Sequence, residues 1–204
     1  MKPTHFIGVD PGFAGAIALI SASGETAQVW PMPVLDRKGV KELDKHLLCD
    51  RLEHLRRLPA PVAGLEWPNT YKGSFGDVVR HAEVFGRQKG TLDAFLFGLG
   101  FDYRHVSPSA WKGKLGLPGK DWDPVSQQGA DLWGRLYPQH SGLIRGPRGG
   151  LLDGPLDALL IAHYVKMSHT GAGSKGGRKP PTFRVLGMDT PLADWWAELK
   201  VPPV

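Results

Sequence analysis

The residues of this chain best suited to chemistry are four acids that lie far apart in sequence, each at the border of an apolar segment. Asp10 closes His5-Phe6-Ile7-Gly8-Val9 and opens Pro11-Gly12-Phe13-Ala14-Gly15, and Glu66 ends Val62-Ala63-Gly64-Leu65. Asp153 and Asp157 stand at the mouth of the helical pattern 156–165. A carboxylate at the end of a core strand is costly to desolvate unless something positive pairs with it. Three such places brought together would suit hard divalent cations, which take oxygen ligands and keep several waters. That is the ligand set of two-metal phosphoryl chemistry. Each acid alone also has an ordinary explanation. Asp10 before Pro-Gly is a turn residue, Glu66 before Trp67-Pro68 is a solvated strand end, and Asp157 complements the dipole of a helix with Pro155 in its first turn. It is the joint pattern, two acids ending apolar strands and a third site opening an apolar helix, that points to a site.

These acids sit in a basic chain. The 204 residues carry a net charge of +5, with 22% charged and 41% hydrophobic residues. The length suits one α/β domain with an appendage, and the charge favours a polyanionic partner. Acids concentrated at sites within a basic whole fit an enzyme that attracts phosphates globally and holds cations locally. The single cysteine, Cys49, falls in an amphipathic helix pattern and reads as a core residue. One cysteine excludes an intrachain disulfide or cysteine-based zinc site, which favours a reducing, cytoplasmic setting. No signal-peptide pattern and no run of membrane-spanning length is present.

The elements that must position the acids follow from periodicity. Three strand-like runs, 6–10, 15–21 and 27–30, are joined by Pro-Gly and Ser-Gly-Glu turns and read as an antiparallel meander. Leu43, Leu47, Leu48, Leu52 and Leu55 recur at helical spacing. Residues 62–66 read as a short buried strand, 74–99 as a helix interrupted by Gly86 and Gly90, 103–106 as a further strand, and 125–137 and 156–166 as helices. The sum is a mixed five-stranded sheet flanked by helices. The domain is expected to span residues 1–168. A glycine-rich basic linker, 169–181, and an extension, 182–204, whose short helix carries Trp195 and Trp196, complete the chain.

These residues resemble a known family. Ile7-Gly8-Val9-Asp10-Pro11-Gly12, then Leu65-Glu66, then Asp157-Ala158-Leu159-Leu160-Ile161-Ala162 is similar to the RuvC-type Holliday-junction resolvases of the RNase H-like superfamily. Phe85-Gly86-Arg87-Gln88-Lys89-Gly90 and Val106-Ser107-Pro108-Ser109-Ala110-Trp111-Lys112 resemble the phage-encoded branch. The match runs in order from about Phe6 to Tyr164. The resemblance implies that Asp10 bridges two Mg²⁺ (or Mn²⁺) ions and that Glu66 and Asp157 each ligate one. Many members have a further acid three residues before the Asp157 position, but here that residue is Gly154, so Asp153 is the expected fourth ligand. The implied reaction is in-line attack of an activated water on a phosphodiester, leaving a 5′-phosphate and a 3′-hydroxyl.

The resemblance also gives the loop after Glu66 an aromatic wedge for the junction centre, with Tyr71 and Phe75 as candidates; Phe75 fits equally as the first core residue of its helix. Lys112, Lys114 and Lys120, spaced by glycines, are expected to contact phosphates, as are Arg145 and Arg148 in their Gly-rich loop; a solvated basic loop is the alternative. The histidines at 46, 54, 81, 140 and 163 show no metal-ligand spacing. An actin-like ATPase or sugar kinase opens similarly but needs a second copy of the unit, and no Walker-type lysine loop is present, so no nucleotide cofactor is expected. A broader branched-DNA or flap nuclease and a catalytically silent junction-binding module remain as alternatives. Two symmetric nicks in a four-way junction imply a C2 homodimer, with the Gly86–Gly90 helix as part of its interface.

Overall fold

Alternation along the first strand sets the architecture. In the computed structural model, which describes residues 2–67, 75–117 and 122–170 (with side chains of 75–82 and 122–125 left undescribed), β1 (His5–Asp10) is buried on both faces. Ile7 and Val9 point into one apolar cluster, while Phe6 and Gly8 face the other side of the sheet. A strand covered on both faces must lie at the centre of its sheet, and β1 does. The strand order is β3-β2-β1-β6-β7. The expected meander forms: β2 (Ala16–Ser21) pairs antiparallel with β1 and with β3 (Ala27–Pro31). On the other side β6 (Pro61–Glu66) runs parallel to β1, and β7 (Asp102–Val106) parallel to β6.

One face carries α1 (Lys45–Arg56) and α2 (Phe75–Gly98), which meet Ile7, Val9, Ile17, Leu19 and Leu65 through Leu48, Leu52, Leu55, Leu92 and Leu96. Each of these side chains, fully buried, contributes about 1.5–3 kcal/mol. The other face carries α3 (Pro108–Lys114), α4 (Trp122–Leu136), a 3₁₀ turn (Pro138–Ile144) and α5 (Asp153–His169). Its core includes Trp111, Trp133, Leu156 and Ile161. Among the described residues no helix is long and apolar enough to cross a membrane.

α5 lies unusually close to the sheet because small residues line the contact. A Cβ on Gly8 would stand 2.0 Å from the Ala158 carbonyl oxygen and 2.5 Å from the Ala162 nitrogen. A Cβ on Gly64 would meet Val165, and one on Gly154 would lie 1.9 Å from the carbonyl oxygen of Ala14 in the β1–β2 turn.

Several local features differ from the sequence expectation. Residues 34–43 form a separate hairpin of β4 (Val34–Arg37) and β5 (Val40–Leu43). Lys38 and Gly39, at φ 56° and 83°, make its tight turn, and Asp36 accepts from the Gly39 N–H at 2.8 Å. Residues 36–42 are all exposed, so no alternating apolar pattern marked these strands. α1 accordingly begins at Lys45, with Asp44 accepting from the Leu47 N–H at 3.0 Å, and Leu47 is exposed. Cys49 is half-buried at the rim of that helix, not in the core, because the buried stripe runs through Leu48, Leu52 and Leu55. α3 was not anticipated as a helix: it is seven residues long, too short for periodicity. Ser107 caps it by accepting from the Ala110 N–H at 3.3 Å, with Pro108 in its first turn. The expected linker, the extension with Trp195 and Trp196, Tyr71 and Lys120 lie outside the described residues.

Two glycines test this account in opposite directions. Gly8→Ala pushes a methyl into helix backbone that cannot rotate away, and is expected to cost about 3 kcal/mol or more. Gly90→Ala, at an exposed helical position with nothing within 4 Å, should stabilise by about 1 kcal/mol. Chemical-denaturation midpoints of the two variants check both.

Candidate active site

The site grows out of sheet geometry. β1 and β6 are parallel neighbours in the register Gly8↔Gly64 and Val9↔Leu65, so Asp10 and Glu66 end adjacent strands at the same edge. Side chains alternate with period two. Asp10 therefore shares the face of Gly8, and Glu66 that of Gly64, which is the face α5 covers. α5 contributes Asp157 from the start of its second turn, one residue before Ala158, whose carbonyl touches the Gly8 position. Three acids distant in the chain thus meet where two strand ends pass under one helix.

Their electrostatics confirm that they feel one another. Burial, then the charges of Glu66 and Asp157, raise Asp10 from the ordinary carboxylate range to about 8, against smaller opposing effects of the Gly12 N–H and Lys112. Burial likewise lifts Asp157 to about 6, with Lys112 opposing and Glu66 and Asp153 adding to the rise. Glu66 is raised by burial and restrained by an indole hydrogen bond and by Lys112. Lys112 stands 4.0 Å from Asp157 and lies over the Trp111 ring at 5.0 Å. Among the described residues, Lys112 is the cation acting on all three carboxylates, which leaves them an excess of negative charge.

Trp111, fully buried, donates its indole N–H to Glu66 Oε1 at 2.9 Å and fixes that carboxylate. Asp10 is held by the turn it opens, accepting from the Gly12 N–H at 3.4 Å. The sequence pattern marked the Trp111-Lys112 pair for its lysine; the partner of the tryptophan lies 45 positions away and carried no local signal.

Asp153 is the first residue of α5, so Asp153 and Asp157 are at i and i+4 and share a helix face. Asp153 is exposed and acts electrostatically on Asp157. Gly154 is buried against the Ala14 carbonyl, which leaves no space for an acid there. Lys114, two positions after Lys112, leaves α3 on another side and is exposed. Arg145 donates to the Gly149 carbonyl at 3.0 Å in a loop closed by backbone hydrogen bonds, and Arg148 is exposed. Phe75 opens α2, with its side chain outside the described set. His163 pairs with the Tyr137 hydroxyl at 2.8 Å, away from the acids.

All of the nearby donors are carboxylate oxygens, the chemistry that Mg²⁺ and Mn²⁺ select. Their mutual repulsion is what a cation would relieve. Among the described residues, however, no three His, Cys, Asp or Glu side chains form a ready-made metal cluster. The acids fit a cation in type and charge.

The raised proton affinity of Asp10 makes a stability prediction. A carboxyl whose folded-state pKa is about 8 against 3.8 contributes stability below pH 4 that is lost as pH rises towards 8. Without divalent cations, Asp10→Asn should therefore melt several degrees higher than the parent at pH 8. The two should coincide near pH 4. Thermal melts in EDTA across that range read this out.

No family profile matches the sequence, and no curated protein matches it. Among solved structures, the chain is similar to the Thermus thermophilus RuvC structure, at 18% identity and a TM-score of 0.52 over 82% of this chain and 96% of that one. It is similar over the same shares to T. thermophilus RuvC in complex with Holliday junction substrate, at 16% identity and a TM-score of 0.50. The mixed five-stranded sheet, with α5 laid across its central strand, is a RuvC-like, RNase H-like fold.

Proposed function

We propose that this protein is a metal-dependent, structure-selective DNA endonuclease that resolves four-way junctions. The observation that carries the proposal is the meeting of Asp10, Glu66 and Asp157 on one sheet face in a RuvC-like fold, with charge enough to raise one another's proton affinity. One of the similar solved structures is T. thermophilus RuvC in complex with Holliday junction substrate, and a basic chain suits such a polyanion.

Asp10 would hold both ions, and Glu66 and Asp157 one each, with Asp153 adding a ligand from the solvent side of the helix. When bound, a pair of Mg²⁺ or Mn²⁺ ions supplies the Lewis acidity for in-line attack of water on a phosphodiester, giving 5′-phosphate and 3′-hydroxyl ends. Trp111 keeps the Glu66 carboxylate aimed into the site. Lys112 offsets part of the acidic charge before loading and offers its ammonium to the phosphate that enters. Lys114 and Lys120 would add backbone contacts, and Tyr71 or Phe75 the aromatic stack at the branch point. Two protomers related by a two-fold axis would make the paired nicks. A phage or its bacterial host, and the cytoplasm, suit the motif after Phe85.

Labelled four-way junction, duplex, flap and single strand, each with and without Mg²⁺, test the proposal. Paired nicks in the junction alone support it, and cutting of flaps at equal rate moves the assignment to a broader branched-DNA nuclease. Asp10→Asn and Asp157→Asn should lower cleavage by about 10³-fold or more while junction binding persists, because each removes a charge the reaction requires. Asp153→Asn, at the exposed edge, should cost less than either. Full cleavage by Asp10→Asn or Asp157→Asn in Mg²⁺ removes that residue from the site.

A further inference from the structure

A cleft of about 320 Å³ runs beside the site along β7, lined by Trp67, Arg104, His105, Ser107, Ala110 and Tyr164 among others. β7 is the last strand of its sheet, so one row of its backbone groups is unpaired by strand neighbours. Arg104 supplies the anomaly. Its Nε and one terminal nitrogen are enclosed and have no hydrogen-bond acceptor. The guanidinium lies 5.2 Å over the Tyr164 ring, which offers a cation–π contact but no acceptor. Burial lowers its proton affinity, and the neighbouring Tyr164 and Asp102 only partly oppose this. A charged fork without a partner is the arrangement folding avoids and binding sites keep.

The walls of the cleft are fixed. Trp67 stacks on His105 with ring centroids 4.1 Å apart, and Lys89 covers its ring at 4.4 Å. Asp93 then holds His105 at 2.6 Å and Tyr103 at 2.8 Å. Asp93 thus has two partners, and Ser107 is occupied as the α3 cap. Among the described residues lining the cleft, Arg104 is the one with enclosed nitrogens that lack acceptors, and a planar fork suits a phosphate oxygen pair.

Its register sets what the anion is. Glu66 pairs with Val106 and Gly64 with Arg104, so Arg104 shares the sheet face of Glu66 and lies two residues back along β7. Two residues of strand span about 7 Å, and phosphates recur about every 3.4 Å of axis on each strand. We propose that the cleft along the open edge of β7 is a phosphodiester-binding site, in which Arg104 takes the nucleic-acid backbone one or two nucleotides from the scissile bond. The guanidinium swings from the Tyr164 face towards the cleft to do so. This rests on the nuclease proposal and adds to it a positioning residue outside the metal site.

The test compares Asp10→Asn with the double variants that add Arg104→Gln or Arg104→Lys, binding a labelled four-way junction in Mg²⁺ over a range of salt. Loss of one phosphate contact should lower the slope of log affinity against log salt by about 1 for the glutamine variant. Its melting temperature should be unchanged or higher, since an unpaired charge is removed. An unchanged slope with a lowered melting temperature shows a merely structural arginine and overturns the site. Should the glutamine variant fail to fold, Arg104→Lys decides. A severalfold loss of affinity at unchanged slope supports the fork, and parental affinity overturns it. If the Asp10→Asn parent itself does not bind the junction, the nuclease proposal and this site fall together, a result distinct from an unchanged slope.

Discussion

Everything at the acidic site depends on how closely α5 approaches the central strand. A helix on a sheet is ordinarily held off by side chains from both layers. Here Gly8 offers none, and the backbone of α5 at Ala158 and Ala162 fills the space a Cβ would need. At Gly64, one strand over, the Val165 and Ile161 side chains of α5 fill the space instead, and at Gly154 the backbone of the β1–β2 turn does. The consequence is geometric. Asp157 comes down onto the strand ends that carry Asp10 and Glu66, and the site exists only because the layers touch without side chains between them.

That approach creates the site's second property, an unbalanced charge. Carboxylates at strand ends are normally solvated, but these are covered by α5 and by Trp111, so burial raises the proton affinity of all three, and repulsion from neighbouring acids adds to it at Asp10 and Asp157. Lys112 is the counter-charge recorded beside them. A site built this way is costly to the folded chain when empty and gains from a cation, the trade of stability for function seen where charge is concentrated for catalysis. The Trp111–Glu66 hydrogen bond has a clear part in it. It satisfies one buried carboxylate oxygen without adding positive charge, so the excess of negative charge at the site remains.

The central sheet was readable from sequence because β1, β2 and β6 are buried on both faces and end in turn residues or acids. The positions of Asp10, Glu66 and Asp157 followed from the same breaks. What could not be read were features whose cause lies across space. Residues 36–42 of the hairpin are all exposed and leave no apolar alternation, and α3, at seven residues, spans only about two turns. Trp111 showed itself only as a neighbour of Lys112, since its partner is 45 residues away. Arg104 looked like an ordinary strand residue until its register with Gly64 put it on the site's face.

Gly154 illustrates why such positions need packing to explain them. By resemblance an acid is expected there, three residues before Asp157. The turn 11–15 folds back so far that the Ala14 carbonyl occupies the place of the Cβ. Any side chain would displace the turn that orients Asp10 through the Gly12 N–H. An acid at 154 would thus gain a ligand by disturbing the ligand the site most needs. Moving the acid to 153 removes the conflict: the helix still starts there, and the i to i+4 spacing keeps its carboxylate on the face of Asp157. It is left exposed, so it adds charge beside Asp157 without bearing the burial that raises Asp10 and Asp157. The fourth ligand in our proposal is accordingly the most exposed of the four acids.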